Sequence, residues 1–269
     1  MMRHRIAAAA LALAALALSA GPVAAKILKT RRPGEYQPLT LIVGSGTEFE
    51  TDGEESQYGF PFFAEYGFSK MIKASVEPNY LLVRKQKGGS IGGLGDLETA
   101  VTCEFPTERR YRPGLALVGV VKWPTAPRPR LGTGKMDYSF GGIVSKEFVG
   151  FDLDLNALYT IVGRPAGVRL QNTFEVSLAG EWHLTRTLDL EAEVVNARGA
   201  AGRFHGQTGS LGGFANIGGP EQGQIESEVT LGLARRFGEF FKLEQGAVLK
   251  SGGSWQLVFA WEYDFSGGK

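Results

Sequence analysis

The chain has one cysteine, Cys103, and three histidines among 269 residues. One thiol staples nothing, so no disulfide framework holds the fold. Cys103 sits among apolar neighbours and is expected to act as a small hydrophobe, buried or facing lipid. His4 lies in the N-terminal leader, and His183 and His205 have no useful metal-ligand spacing, so neither a metal nor a cofactor is expected. An excess of charge is also missing: 29 Lys and Arg stand against 28 Asp and Glu, a net charge of +1, which gives no support to nucleic-acid binding. Beyond residue 18 there is no long apolar run, which excludes a polytopic helical membrane protein. The 38 glycines argue against a helical bundle.

The only long apolar run is at the start. Arg3, His4 and Arg5 precede an Ala/Leu-rich stretch over 6–18, followed by Ser19-Ala20-Gly21-Pro22-Val23-Ala24-Ala25. A charged start, a short apolar middle and small residues at the end make a secretory signal peptide, too short for the about 20 residues of a spanning helix. Cleavage is expected after Ala25, with Ala20 as the weaker alternative. No cysteine near either site offers a lipid anchor. The expected division is a signal peptide over 1–25, a periplasmic N-terminal segment over 26–38 and one domain over 39–269.

That domain carries the period of a strand. In 151–162, Asp152, Asp154, Asn156 and Thr160 share one parity, while Leu153, Leu155, Ala157, Tyr159 and Ile161 share the other. One polar and one apolar face at period 2 cannot be used by a helix. In the last such stretch Trp255, Leu257, Phe259, Trp261, Tyr263 and Phe265 alternate with Gln256, Glu262 and Asp264, the pattern of a lipid-facing wall with aromatic ends. It resembles a C-terminal assembly signal, but four more residues follow Phe265. Twelve such stretches are predicted: 39–50, 58–70, 73–84, 94–105, 113–123, 136–148, 151–162, 172–184, 188–196, 225–237, 241–250 and 254–265. Their connections alternate, with short turns such as Val149-Gly150 on one side and long polar loops such as 124–135 and 197–224 on the other. An even number of strands of about ten residues, with short turns at one end, predicts an all-β transmembrane antiparallel up-and-down β-barrel of about 12 strands, because in lipid only closure satisfies every backbone group.

A family resemblance points the same way. Gly93-Leu94-Gly95-Asp96-Leu97-Glu98, Arg112-Pro113-Gly114-Leu115-Ala116-Leu117, Val121-Lys122-Trp123-Pro124-Thr125 and Leu131-Gly132-Thr133-Gly134-Lys135-Met136-Asp137 resemble the signature run of the outer-membrane family named for the meta-pathway of phenol degradation. Glu65-Tyr66-Gly67-Phe68 and Val76-Glu77-Pro78-Asn79-Tyr80 are similar to that family's early strands. The resemblance covers about 61–162 and implies an outer-membrane barrel that passes hydrophobic or aromatic compounds, with no catalytic residues to carry over. Trp123 departs from the family, which has a smaller apolar residue there, and either narrows or anchors that wall.

If the apolar parity faces lipid, the charged residues face inward. The predicted interior residues are Lys122, Asp152, Asp154, Glu175, Glu181, Asp189, Glu191, Glu193, Arg236 and Lys242, with Glu98, Glu104, Glu226, Glu228, Glu244, Glu262, His183 and Lys250 on the same parity. Such a lumen is acidic. It is either a wet, cation-preferring path or a plugged interior in which the charges pair. Catalytic material is thin: His205 and Ser210 share a Gly-rich loop, and Gly92-Gly93-Leu94-Gly95-Asp96 lacks the Lys-Ser/Thr and the helix of a phosphate loop. The expectation is a non-enzymatic outer-membrane channel for passive passage of small solutes, including hydrophobic or aromatic ones. Its expected partners are outer-membrane lipid, lipopolysaccharide, the barrel-assembly machinery and the solutes. A plugged structural or adhesive barrel and a rim-sited hydrolase remain as alternatives.

Overall fold

The computed structural model describes residues 30, 38–52, 55–85, 89–105, 112–128, 131–165, 170–199 and 225–265; of residues 85, 225 and 226 it describes only the backbone. The described residues are all strand, turn and irregular chain, with no helix. The strand segments are β1 (Leu41–Thr51), β2 (Glu55–Gly67), β3 (Ile72–Glu77), β4 (Asn79–Lys85), β5 (Ser90–Leu94), β6 (Leu97–Phe105), β7 (Gly114–Trp123), β8 (Asp137–Phe148), β9 (Phe151–Ile161), β10 (Thr173–His183), β11 (Leu188–Arg198), β12 (Ile225–Phe237), β13 (Phe241–Lys250) and β14 (Trp255–Asp264).

Each segment pairs antiparallel with its neighbours, and β14 returns to β1 through a register running from Ile42↔Asp264 to Thr51↔Trp255, which closes the sheet. Segments β3 and β4 are two halves of one stave, and β5 and β6 of the next, so the barrel has twelve. Both breaks fall at one height. Pro78 has no N–H for the ladder, although its carbonyl still accepts from Phe62 N at 2.9 Å. Across from it, Gly95 N donates to Asn79 O at 2.8 Å before Asp96 leaves the strand path.

The gap between the predicted stretches 73–84 and 94–105, a glycine-rich connection over 85–93 by that reading, is corrected in part. Ser90 to Gly93 pair with β4, because glycines and a serine can follow a pleat when a partner strand supplies the hydrogen bonds. Elsewhere the predicted and observed bounds differ by a residue or a few. The turn between β8 and β9 is Val149-Gly150, and Gly150 at φ 86° supplies the left-handed geometry that lets so short a connection match the strand twist.

Alternation sets which face is which. In β9, Asp152, Asp154, Asn156, Leu158 and Thr160 are buried, while Leu153, Leu155, Ala157 and Ile161 are exposed. Exposed Leu117, Leu178, Val194 and Leu231 continue that apolar outer band on β7, β10, β11 and β12. Aromatic rings bound it at both ends. At the short-turn end, Phe148 stacks on Phe151 (centroids 4.6 Å apart) and Phe151 on Trp182, while Tyr263 meets Phe265. At the long-loop end, Phe49 contacts Tyr58 and Trp255. Two aromatic rings flanking an apolar belt match the two interfaces of a bilayer. The loop over 200–224, with His205 and Ser210, lies outside the described residues.

Leu155 stands in the middle of β9 on the outer face. Leu155→Arg is expected to destabilise the barrel by about 2–4 kcal/mol, the cost of a cation at mid-depth in lipid. Urea unfolding in vesicles, read by the heat-dependent gel mobility of folded barrels, measures it; a cost near zero would remove the belt from the membrane.

Candidate functional site

The interior is built from the inward parity of every strand, and it has two unlike walls. On β6 to β9 the inward positions include Ala100, Ala116, Val118, Val120, Ile143 and Leu158, which form one buried apolar cluster. Segment β7 is apolar on both faces, so its sequence alternation is silent about which side is inner. The second wall is acidic and lies on β9 to β13. The ladder sets Asp152 opposite Glu181 and Glu181 opposite Glu191, so three carboxylates occupy one row across three strands. Like charges placed directly opposite destabilise a sheet unless cations intervene.

Lys242 and Arg236 intervene in this row, and Lys250 and Lys73 pair with carboxylates elsewhere inside the barrel. Lys242 Nζ lies 3.2 Å from Glu191 Oε1 and 2.7 Å from Glu244 Oε1. Arg236 Nη2 lies 2.9 Å from Glu181 Oε1 and 3.3 Å from Asp189 Oδ2. Lys250 Nζ reaches Glu50 Oε1 at 2.9 Å and Glu228 Oε1 at 3.8 Å at the long-loop end. Lys73 Nζ meets Glu104 Oε1 at 2.9 Å and Glu65 Oε1 at 3.4 Å at the short-turn end.

Of the residues expected inside, Asp152, Asp154, Glu175, Glu181, Asp189, Glu191 and Glu193 are buried on the inner face, while Arg236 and Lys242 keep part of their surface at the short-turn mouth. Asp154 accepts the Ser145 hydroxyl. Lys122 does not belong to the acidic wall. It is drawn instead to Asp137 Oδ2 at 2.6 Å and Asp96 Oδ2 at 3.5 Å, and donates to Thr133 Oγ1 at 2.8 Å.

That node accounts for the placement of Asp96, Lys122, Thr133 and Asp137. β7 pairs with β6 only as far as Leu97↔Trp123, so beyond that point β5 has β4 on one side and the connection after β7 on the other. The connection covers this edge. Thr125 Oγ1 accepts from Leu97 N at 2.9 Å and donates to Gly95 O at 3.2 Å, and Ala126 N donates to Asp96 Oδ1 at 3.1 Å. Leu131, fully buried, packs with Leu81 and Val83. Glycine at 132 is required by contact, because a Cβ there would run into Asp96 Oδ1 and the Ala126 Cβ. Trp123 points outward and donates its indole N–H to Thr99 Oγ1 at 2.9 Å, so it anchors the wall and does not narrow the interior.

Thr30, from the chain ahead of β1, is also inside. Its amide and its hydroxyl each reach Glu193 Oε1 at 2.6 Å, and the hydroxyl lies 2.7 Å from Ser177 Oγ. Nothing in the period-2 pattern could reveal this contact, because Thr30 lies outside any strand.

Solved structures similar to this chain include outer-membrane channels and porins. The COG4313 outer membrane channel from Pseudomonas putida F1 is similar with a TM-score of 0.64 and 13% identity, over 87% of this chain and all (100%) of that one. The NanC porin is similar at TM-score 0.56 and 8% identity, over 81% of this chain and 98% of that one. The KdgM porin solved with disordered oligogalacturonate is similar at 0.53 and 8%, over 82% and 98%. The likeness shows the fold. No protein-family model matches the sequence, and no curated protein matches it.

Lys122 is 2% exposed between two buried aspartates. Lys122→Met is expected to leave both carboxylates without their cation and cost about 3–5 kcal/mol, the usual size of a broken buried pair. The triple change Lys122→Met/Asp96→Asn/Asp137→Asn should recover part of that loss in the same unfolding measurement; no recovery would mean the node is not electrostatic.

Proposed function

We propose that the chain is an outer-membrane channel for small solutes, favouring those that carry positive charge on an apolar or aromatic body. The observation that carries this reading is the pairing of walls: Ala116, Val118, Val120 and Ile143 form an apolar inner surface, and Asp152, Glu181, Glu191 and Glu193 an acidic one. An acidic lining concentrates cations and repels anions, and the apolar wall gives the rest of the solute a surface that water covers poorly. The fold shared with outer-membrane channels supports the reading, as does the outer belt with its two aromatic rings, which fits outer-membrane lipid and lipopolysaccharide. The strands would be inserted there by the barrel-assembly machinery after removal of the signal peptide.

A plugged structural barrel is the second reading, favoured by a specific observation. Glu191 is 0% and Glu193 1% exposed, and Thr30 is bonded to Glu193 from within.

Conductance in planar bilayers separates the two. The parent barrel should conduct and favour potassium over chloride. Asp154→Asn with Glu193→Gln keeps an oxygen acceptor for the Ser145 and Thr30 hydroxyls while removing two charges. The cation preference should therefore fall, most at low salt, where the Debye length approaches about 30 Å. A folded parent that passes no current would overturn the channel reading in favour of the plugged one.

A further inference from the structure

We propose that the short-turn mouth carries a binding site for a divalent transition-metal ion of the zinc class, formed by Asp152, Glu181 and His183 with Asp189 behind the imidazole. The site does not depend on the channel reading, since its occupancy can be measured on a barrel that conducts or on one that does not.

Strand register assembles it. Asp152 on β9 lies opposite Glu181 on β10, and His183, two residues on, lies opposite Asp189 on β11. Glu181 and His183 share the inward parity, so a carboxylate from one strand and a carboxylate and an imidazole from the next converge. One ligand atom from each of Asp152, Glu181 and His183 lies within 4.8 Å of the others; Glu181 Oε1, which accepts from Arg236 Nη2, lies 3.8 Å from His183 Nδ1, so Glu181 would have to turn its carboxylate to share an ion with Nε2. His183 Nε2 is 3.1 Å from Asp152 Oδ2. Two ligands of a tetrahedral zinc at about 2.0–2.1 Å are separated by about 3.4 Å, so this pair needs little movement to share an ion.

The other ring nitrogen is held from behind. His183 Nδ1 is 2.9 Å from Asp189 Oδ1. A carboxylate on the far side of a histidine fixes its tautomer and aims the opposite nitrogen at a metal. Asp189 is 1% exposed; its Oδ2 is buried, forms no hydrogen bond and has only the ion-pair contact with Arg236 at 3.3 Å. A carboxylate so deeply buried fits the role of an orienting group.

Carboxylates come from β9, β10 and β11, with Glu147 opposite Asp152 and Glu191 opposite Glu181, and Arg236 from β12 and Lys242 from β13 stand beside them. A proton on His183 would let both ring N–H groups donate, to Asp152 and to Asp189. Metal and proton therefore compete for Nε2, and metal binding releases that proton to solvent. An imidazole ligand favours zinc, nickel or copper over calcium or magnesium. The His183 side chain is 31% exposed, which leaves access from the mouth.

The test is calorimetric titration of the folded, detergent-solubilised mature barrel with zinc chloride, and with calcium chloride as the control. One saturable zinc site is expected at pH 7.5, weakened about tenfold or more at pH 5.5 by proton competition. His183→Gln and Asp152→Asn should each abolish saturable binding, and Asp189→Asn should weaken it about 10–100-fold. Glu50→Gln, at the opposite mouth, should leave it unchanged. Heat-dependent gel mobility establishes that each variant is folded. Cobalt chloride in place of zinc should give the visible absorption of a site with nitrogen and oxygen ligands. Absence of saturable zinc binding to the parent, calcium bound as tightly as zinc, or a loss with Glu50→Gln equal to that with His183→Gln would each overturn the site.

Discussion

A backbone amide facing lipid with no partner costs several kcal/mol, and a sheet avoids that cost only by having no edge. The β1–β14 ladder, ten residue pairs long from Ile42↔Asp264 to Thr51↔Trp255, closes the barrel. Closure fixes an inside and an outside, and period 2 then sends every second side chain to each. The apolar belt, the aromatic rings and the inward carboxylates all follow from that division.

Where the ladder is incomplete, the chain covers the exposed edge by other means. The staves break at Pro78 and at Gly95-Asp96, and the connection after β7 covers β5 with Thr125, Ala126 and Leu131. It is held there by a lysine between two buried aspartates. An ion pair this deep is a costly fastening, since both partners give up water. It also specifies one position, as Lys122 Nζ has Asp137, Asp96 and Thr133 converging on it from the strand break and from the far end of the connection.

The acidic wall rests on the same ion-pair logic, carried further. Carboxylates opposed in register on β9, β10 and β11 repel, and Lys242 and Arg236 reach in from β13 and β12 to offset them. Lys242 and Arg236 stand at the short-turn mouth and Lys250 at the long-loop end, while Asp154 and Glu193 lie between them, against hydroxyls of Ser145 and Thr30. The field inside therefore varies along the axis, as does what a solute would meet there.

Much of the fold was legible in the sequence because lipid enforces a strict rule: Asp152, Asp154 and Asn156 against Leu153, Leu155 and Ala157 can be satisfied only by a strand between water or protein and membrane. The bounds of β12 and β13 and the two-residue turn at Val149-Gly150 follow from that rule alone. It fails wherever both faces are apolar, as in Ala116, Leu117, Val118 and Gly119, so the apolar inner wall became visible only when neighbours were placed around it. It also fails for contacts between residues far apart in the chain. Lys122 was expected inside without a named partner, and register and the strand break put Asp96 and Asp137 beside it. The sequence by itself determined that the chain forms a barrel and which residues alternate, because those depend on local parity and the solvent on each side. Tertiary structure alone decided which charges meet, how the edge of β5 is covered and that His183 stands among Asp152, Glu181 and Asp189, because those depend on the register between strands.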